Sequence, residues 1–226
     1  MKPLTEQHLA TLRRHMIEVV DIEYDLTADD TGRALPAPRL REAMLALPRH
    51  LFVPAPFGAM AYQDRPLPIG FDKTISQPFM SALMIDLLDL RPEDRVLEVG
   101  TGLGYQTALL AGLAADVWSV DVVEEFVVAA AERLRMLGRT NVTLRVGDGS
   151  RGWPEEGPFD AILVSAAARE LPAALAEQLE IGGRMVVPIG PAGAEQRLTR
   201  IERVSDEEVS AAELMAVRFT TLETDP

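Results

Sequence analysis

The fold of this chain is decided by one stretch, Asp94-Arg95-Val96-Leu97-Glu98-Val99-Gly100-Thr101-Gly102-Leu103-Gly104. Its first half carries apolar side chains that predict a short buried strand. Its three glycines predict a turn that a ligand can approach closely, because glycine has no side chain. The residues from Tyr105 to Leu113 then predict a helix whose N-terminus faces the turn. A strand, a glycine turn and a helix in this order are typical of nucleotide-binding α/β sheets.

Acidic residues near the ends of the predicted strands indicate which ligand the turn would bind. Glu98 precedes the first glycine by two residues, and Asp121 ends the next strand, where an acid suits the two hydroxyls of a ribose. In the Gly147-Asp148-Gly149 turn after the third strand, an aspartate can accept a hydrogen bond from an adenine amino group. Together these signals resemble the S-adenosylmethionine site of Rossmann-like methyltransferases. The alternative is a tight turn that binds nothing, with Asp121 and Asp148 as helix caps.

The composition excludes several classes of protein. The chain has 226 residues, no cysteine and only three histidines, all of which precede the predicted sheet. We therefore expect no disulfide and no metal site. The formal net charge of −13 would repel nucleic acid. No apolar stretch approaches the roughly 20 residues that a membrane span needs, and the N-terminus lacks an apolar signal core, so we expect a cytoplasmic protein with no membrane partner.

The order of the predicted elements gives the fold class. Helices over 4–20 and 39–47 flank an acidic segment, 21–37, which we interpret as a solvated loop, with a lid or partner contact as the alternative. After a helix over 79–88, strands over 95–99, 116–120, 142–147, 159–165 and 183–189 alternate with helices over 104–114, 124–137 and 171–180. This pattern predicts an α/β fold with a doubly wound, mostly parallel Rossmann-like sheet. Strands over 196–204 and 209–220 predict a C-terminal antiparallel hairpin.

We expect one compact unit with two parts. Residues 1–78 would supply N-terminal helices and a segment that covers cofactor and substrate. Residues 79–226 would form the cofactor-binding methyltransferase domain. The Gly182-Gly183 pair would end the last helix and begin the fifth strand.

Several motifs lie outside the general pattern of such sheets. They include Ala46-Leu47-Pro48-Arg49-His50-Leu51-Phe52-Val53-Pro54, the segment 61–70, Thr74-Ile75-Ser76-Gln77-Pro78 and Gly152-Trp153-Pro154. Over about residues 39 to 220 the chain resembles the protein-L-isoaspartate O-methyltransferases, and the Thr-Ile-Ser-Gln-Pro loop is the most specific mark of the resemblance. The resemblance implies that isoaspartyl-containing proteins and peptides are the substrates. S-adenosylmethionine would methylate their free α-carboxylate, and the ester would collapse to a succinimide whose hydrolysis returns some normal aspartate.

The motifs and the resemblance together assign site residues. Ser76 would be the catalytic residue that donates a hydrogen bond to the substrate carboxylate, although it could instead cap the helix beginning at Gln77 or Pro78. A carboxylate is already ionised at pH 7, so no general base is needed. The expected cofactor-binding residues are Thr74, Ile75, Gln77, Glu98, Gly100, Thr101, Gly102, Gly104, Asp121, Val122, Gly147, Asp148 and Gly149. The expected substrate-binding residues are Ile69, Gly70, Ser76, Ala166, Ala167, Ala168 and Arg169.

One departure from the family pattern keeps other functions open. Ala166-Ala167-Ala168-Arg169 stands where the family usually has Ala-Ala-Pro, and we expect the missing proline to free a backbone that lines the substrate groove. Arg169 would either grip a carboxylate with both its nitrogens or point into solvent. The alternative enzyme is a carboxyl methyltransferase dedicated to one peptide or small carboxylic acid. A protein that binds S-adenosylmethionine without turnover would show damage to Ser76 or the glycine turn, and both are intact.

Overall fold

The structure, a computed structural model, describes residues 5–223. Its strands are β1 (Leu67–Gly70), β2 (Lys73–Ile75), β3 (Arg95–Val99), β4 (Asp116–Asp121), β5 (Val142–Val146), β6 (Phe159–Val164), β7 (Leu179–Ile189), β8 (Gln196–Arg203) and β9 (Val209–Val217). Its α-helices are α1 (Glu6–Leu26), α2 (Ala28–Thr31), α3 (Pro38–Ala46), α4 (Pro78–Asp86), α5 (Tyr105–Leu110), α6 (Glu124–Met136) and α7 (Ala173–Ala176). Short 3-10 helices cover Arg49–Phe52, Ala55–Met60 and Gly149–Arg151.

The main sheet has the strand order β5-β4-β3-β6-β7-β8-β9. The strands from β3 to β7 pair in parallel, and β8 and β9 extend the edge as an antiparallel hairpin. The predicted fold class is therefore confirmed. After β3 the chain adds β4 and β5 on one side of β3. It then crosses over and adds β6 and β7 on the other side of β3. Ligands of such sheets bind beyond the carboxyl ends of the strands at this switch point.

Apolar residues cover both faces of the sheet, because successive side chains of a strand point to opposite sides. On β3, Val96 belongs to one buried apolar cluster and Leu97 to another. The first cluster joins the sheet to α1, α3, α4, α5 and α6, and the second contains α7 and Trp153. Residues on both sides of position 78 share the first cluster, and the division of the chain at that position stays a prediction.

The acidic segment 21–37 is not the solvated loop that its composition suggested. Most of its first half is helical, because α1 continues to Leu26 and α2 follows. The apolar face of α1 runs through Val20 to Tyr24, whose ring packs edge-on against Phe79 of α4 with 5.6 Å between ring centroids. The acidic residues lie between these buried positions, so the helix is amphipathic here and its charge does not prevent it from forming.

The predicted helix over 171–180 is wrong over most of its length. Only the single turn of α7 is helical, and β7 already begins at Leu179. The ladder between β6 and β7 is interrupted, and Gly182 and Gly183 lie within β7 at this irregularity. Gly182 has a φ of +81°, which glycine adopts easily, so the pair forms a bulge in a strand and does not end a helix.

A small hairpin of β1 and β2, which the sequence did not reveal, packs beside the main sheet. Its turn contains Phe71 and Asp72, whose φ angles of 51° and 55° are rare for residues other than glycine. The Phe71 ring packs edge-on against Phe126 of α6, with 5.4 Å between ring centroids. This contact ties the hairpin, and the Ser76 loop that follows it, to the carboxyl end of the sheet.

Two sequence-based expectations concern the chain termini and membranes. The predicted first helix started at residue 4, which lies outside the described residues, and the described part of α1 starts at Glu6. Within residues 5–223, no helix combines the length and the apolar character that crossing a membrane requires.

Candidate active site

A cleft opens at the carboxyl ends of β3, β4 and β6, and we call it the glycine-turn cleft. Its walls enclose about 840 Å³ of open space, counting the mouth that is open to solvent. Its lining residues are Ile69, Lys73, Thr74, Ile75, Ser76, Val99, Gly100, Thr101, Gly102, Leu103, Tyr105, Gln106, Val120, Asp121, Val122, Phe126, Gly149, Ser165, Ala166, Thr220, Thr221, Leu222 and Glu223.

The glycine turn forms the floor of this cleft. Gly100 has a φ of +99°, and a Cβ there would lie 3.3 Å from Cβ of Ser165. Gly102 has a φ of +51°, and a Cβ there would meet only Cδ1 of Ile69, at 3.4 Å. The Gly100 conformation therefore requires glycine, and the Gly102 conformation is one that glycine adopts more easily than other residues. Gly102 also leaves open space that a ligand can use.

Asp121 holds the glycine turn in place from the end of β4. Its Oδ2 accepts a hydrogen bond from the Gly102 N–H at 2.8 Å, and its Oδ1 accepts one from the Val123 N–H at 2.9 Å. Burial raises the pKa of Asp121, and the two N–H donors counteract part of that shift. The same carboxylate lines the cleft, so it can both shape the turn and meet a polar group of a ligand.

Glu98 lies beneath the turn and does not reach the cleft. Its Oε2 accepts hydrogen bonds from Thr107 Oγ1 at 2.5 Å and from Ser119 Oγ at 2.6 Å. Ser119 Oγ is in turn 2.6 Å from Thr101 Oγ1, so Glu98 anchors a chain of hydroxyls that ends at the cleft wall. The side chain is fully buried, and this burial raises its pKa from 4.5 to about 7.

Ser76 stands where the glycine-turn cleft meets a second depression, which we call the Ser76 groove. The groove is lined by Glu23, Thr27, Pro66, Thr74, Ser76, Gln77, Phe79, Met80, Ser165, Glu195, Met215, Ala216, Val217, Arg218, Phe219 and Thr220. Four of these residues, Thr74, Ser76, Ser165 and Thr220, line both depressions. A ligand in the cleft and a second molecule in the groove could therefore meet at Ser76.

The alternative role of Ser76 as a helix cap does not fit the structure. α4 begins at Pro78, its N-cap is Gln77, and neither the Gln77 nor the Ser76 side chain caps it. The Ser76 hydroxyl has no hydrogen-bond partner among residues 5–223, although its main-chain carbonyl accepts one from Arg49 Nη2 at 2.5 Å. The hydroxyl is therefore available to a ligand, and its predicted catalytic role stays a prediction.

The structure brings most of the predicted site residues together. Those that line the glycine-turn cleft are Ile69, Thr74, Ile75, Ser76, Gly100, Thr101, Gly102, Asp121, Val122, Gly149 and Ala166. Gln77, predicted with the cofactor residues, lines the Ser76 groove instead. The residues that line neither depression are Gly70, Glu98, Gly104, Gly147, Asp148, Ala167, Ala168 and Arg169.

Gly104 and Asp148 have local structural contacts that account for their residue types. Gly104 precedes α5 with a φ of +91°, and a Cβ there would lie 3.1 Å from Cβ of Ala130, so α6 leaves little room for a side chain. Asp148 caps the 3-10 helix after β5, accepting a hydrogen bond from the Ser150 N–H at 2.8 Å, and its carboxylate lies 3.5 Å from Arg151 Nε.

Main-chain hydrogen bonds hold the segment after β6 in place, although it lacks the proline that is usual in the family. The N–H of Ala168 donates to the Pro188 carbonyl at 2.9 Å, and the N–H of Ala167 donates to the Thr220 carbonyl at 2.8 Å. The expectation of a freed backbone is therefore wrong, because the N–H that proline would lack is used in a bridge to β7. Arg169 is exposed and lines neither depression, which fits the solvent alternative.

Sequence reasoning missed the part of the cleft that comes from the C-terminal segment. Thr220, Thr221, Leu222 and Glu223 reach the cleft because the Leu222 N–H donates to the Ala167 carbonyl at 2.9 Å. No local pattern marks such a tertiary contact. Phe126, on the helix that follows Asp121, was also missed, although an aromatic residue so close to the predicted ribose acid was a usable signal.

Comparison with known proteins identifies the family. A sequence profile described as protein-L-isoaspartate(D-aspartate) O-methyltransferase matches residues 27–225. This chain belongs to that family. A protein-L-isoaspartate O-methyltransferase 1 from Polaromonas sp. strain JS666 is 46% identical over 97% of this chain and 93% of its own. A protein-L-isoaspartate O-methyltransferase from Anaeromyxobacter dehalogenans strain 2CP-C is 54% identical over 81% of this chain and 88% of its own.

Solved structures of the isoaspartyl methyltransferase family share the fold. One protein-L-isoaspartate O-methyltransferase superposes with a TM-score of 0.78 at 27% identity, covering 92% of this chain and 65% of that chain. A Plasmodium falciparum protein described as a beta-aspartate methyltransferase, in complex with S-adenosyl-L-homocysteine, superposes with a TM-score of 0.77. At 24% identity, covering 96% of this chain and 98% of that chain, this second likeness concerns the fold alone.

Proposed function

We propose that this protein is a protein-L-isoaspartate O-methyltransferase, which transfers a methyl group from S-adenosylmethionine to the free α-carboxylate of L-isoaspartyl residues. The observation that carries the proposal is the family match over residues 27–225, in a chain whose glycine turn and Ser76 loop are intact and meet at one site. The main-chain nitrogen that follows the residue then attacks the ester carbonyl, and methanol leaves with the proton of that nitrogen, so that a succinimide forms. Hydrolysis of the succinimide returns some normal aspartate.

The glycine-turn cleft fits the cofactor. The open space above Gly102 can hold a ribose, and the half-buried carboxylate of Asp121 offers it a polar partner. Ile69, Phe126 and Leu222 add apolar walls suited to an aromatic base. When bound, S-adenosylmethionine would supply a methyl group on a positively charged sulfur.

The residues of this chain would act by positioning and not by proton transfer. The substrate carboxylate is ionised at neutral pH, so it can attack the methyl group without a base. Aligning oxygen, methyl and sulfur can contribute several kcal/mol, up to roughly 7–11 kcal/mol. The Ser76 hydroxyl, which has no partner among the described residues, would hold the carboxylate at the junction of cleft and groove.

The Ser76 groove would hold the polypeptide substrate. The C-terminal residues of β9 line this groove, and β9 is an edge strand of the main sheet. An edge strand can offer main-chain hydrogen-bonding groups to an extended peptide. Ala166 would contribute from the cleft side, and the remaining predicted substrate contacts are not needed for this arrangement. We place the enzyme in the cytoplasm, with isoaspartyl proteins and peptides as its partners and no nucleic acid or membrane partner.

Conversion of an isoaspartyl peptide tests this function. The protein should deplete an L-isoaspartyl peptide only when S-adenosylmethionine is present, and the succinimide and the normal aspartyl peptide should accumulate in its place. Chromatography with mass detection separates the three species. Persistence of the isoaspartyl peptide, in a preparation that binds S-adenosylmethionine, would contradict the proposal.

The second candidate, a carboxyl methyltransferase dedicated to one peptide or small acid, loses one of its two supports. Arg169 is exposed and lines neither depression, so it does not provide a special carboxylate grip. The helical segment that replaces the predicted 21–37 loop contributes Glu23 and Thr27 to the groove, which keeps the selection of particular peptides open.

A further inference from the structure

The most deeply buried arginine of the described residues has no role in the proposed function so far. Arg49 is fully buried, lies in the 3-10 helix before the first hairpin, and forms no salt bridge with any of residues 5–223. Its Nε donates to the Ala61 carbonyl at 2.8 Å, and its Nη2 donates to the Ser76 carbonyl at 2.5 Å. Its guanidinium lies over the Tyr105 ring, 4.6 Å from the centroid.

Burying an arginine without an ion-pair partner costs free energy, because its charge is removed from water. Its burial therefore suggests a specific role. Arg49 spans the two elements that meet at the site. Tyr105 begins the helix after the glycine turn, and the Ser76 carbonyl belongs to the loop that faces the substrate groove. Guanidinium groups remain protonated at any physiological pH, so this loop always has a positive charge behind it.

The position of Arg49 determines where the next N–H points. The Ser76–Gln77 peptide bond is not among the cis bonds of the described chain, so it is trans, and its N–H points opposite to its carbonyl. The carbonyl points to Arg49, which lines neither depression, whereas Ser76 and Gln77 both line the Ser76 groove. The Gln77 N–H therefore points away from the buried guanidinium of Arg49.

This N–H has no acceptor in the described structure. Among residues 5–223, the Gln77 N–H donates to no hydrogen-bond acceptor, and the next residue, Pro78, has no N–H. The following N–H, of Phe79, is taken by Asp64 Oδ1 at 2.8 Å, and Asp64 Oδ2 fixes the Gln77 side chain at 3.1 Å. Arg49 and Asp64 therefore hold the loop from two sides and leave one donor for the groove.

We infer that Arg49 is a positioning residue that aims the Gln77 N–H at the carboxylate of the substrate and strengthens it as a donor. A hydrogen bond from Arg49 to a carbonyl polarises the whole peptide unit, and polarised chains of hydrogen bonds reinforce one another. The N–H and the Ser76 hydroxyl then hold the two oxygens of one carboxylate. This inference rests on the proposed function, because it names the group that recognises the charge of the isoaspartyl residue.

A proline substitution tests the donor directly. Gln77 has φ −56° and ψ 152°, which proline adopts without strain, so Gln77→Pro removes the N–H and keeps the chain path. Gln77→Ala is the matched control, because it removes the same side chain and keeps the N–H. The measured quantity is the preference for an L-isoaspartyl peptide over the same peptide with an α-carboxamide, taken from the Kd values of both.

The loss of one hydrogen bond to a charged group corresponds to about a 10- to 100-fold change in binding. We expect Gln77→Pro to reduce the carboxylate preference by that factor, and Gln77→Ala to retain it. Arg49→Gln and Arg49→Lys should also reduce the preference while S-adenosylmethionine still binds. Arg184→Met is the control for removing a buried arginine, because Arg184 pairs with Asp94 at 2.7 Å and lines neither depression.

The outcomes separate the inference from the proposed function. If the parent methylates the isoaspartyl peptide and Gln77→Pro keeps its preference for the carboxylate, the inference is overturned alone. If the preference falls equally in Gln77→Ala or Arg184→Met, the effect is structural and the inference is overturned as well. If the parent methylates no isoaspartyl peptide, the proposed function fails and the inference fails with it.

Discussion

Replacing the buried Glu98 with glutamine should change the pH dependence of stability. The free energy of unfolding of the variant, minus that of the parent, should be larger at alkaline pH than at acidic pH. Glu98 is fully buried, its Oε2 accepts two hydroxyl hydrogen bonds, and its Oε1 has no partner among the described residues. Glutamine keeps an acceptor oxygen for Thr107 and Ser119 and mimics the protonated form of the acid. The variant therefore isolates the free energy of ionising this carboxyl inside the fold.

The magnitude follows from the pKa. Burial raises the pKa of Glu98 from 4.5 to about 7, so between these values the folded protein binds a proton that the unfolded chain has lost. The contribution of Glu98 to the free energy of unfolding is therefore fully present below pH 4.5 and is lost as the pH rises through 7. Because one pKa unit corresponds to 1.36 kcal/mol, the loss amounts to roughly 3 kcal/mol at pH 8.

Urea denaturation of parent and Glu98→Gln at several pH values between 4 and 8 measures this difference. The free energy of unfolding of the variant, relative to that of the parent, should rise by roughly 3 kcal/mol across the range. Glu170→Gln, at an exposed site, controls for the loss of one negative charge. A difference between Glu98→Gln and the parent that stays constant with pH would refute the reasoning, because Glu98 would then ionise as easily in the fold as in the unfolded chain.

Four further substitutions test the site. Ser76→Ala should lower the rate constant for methyl transfer about 10-fold while S-adenosylmethionine affinity, from calorimetry, stays the same; an unchanged rate constant would show that the hydroxyl does not hold the carboxylate. Asp121→Ala should weaken S-adenosylmethionine binding by about 10-fold or more, because it removes the proposed ribose contact and the anchor of the Gly102 N–H, and an unchanged Kd would contradict the ribose assignment. Gly104→Ala should lower the thermal midpoint, since the new Cβ meets Ala130 at 3.1 Å and the φ angle costs about 1–2 kcal/mol. The folded fraction of Gly104→Ala should bind S-adenosylmethionine normally, whereas Gly102→Ala, which faces the cleft, should weaken binding.

The main sheet could be predicted because its signals are local. Short, mostly apolar strands such as β3, separated by helices, indicate a parallel sheet, and the adjacent strands β8 and β9 indicate a hairpin. The glycine turn and Asp121 could be found for the same reason, since strand ends in such a sheet converge at one edge.

The errors arose where tertiary contacts outweigh local composition. The acidic run after Val20 suggested a loop, but the burial of Tyr24 against Phe79 continues the helix. The glycines at 182 and 183 suggested a helix end, but the longer β7 uses them in a bulge.

The same limit applies to the site. Arg49 belonged to a motif that identified the family, yet its hydrogen bond to the Ser76 carbonyl spans 27 positions and follows from no spacing rule. The C-terminal wall at Thr220 and Leu222 depends on a bridge to Ala167, which likewise has no local signal.

Methyl transfer from labelled S-adenosylmethionine to two peptides that differ only in carrying aspartate or L-isoaspartate at one position tests the proposed activity. We expect label in the isoaspartyl peptide and none in the aspartyl peptide, with the label lost again as methanol when the ester closes to the succinimide. Equal labelling of both peptides, or labelling of neither by a protein that binds S-adenosylmethionine, would contradict it.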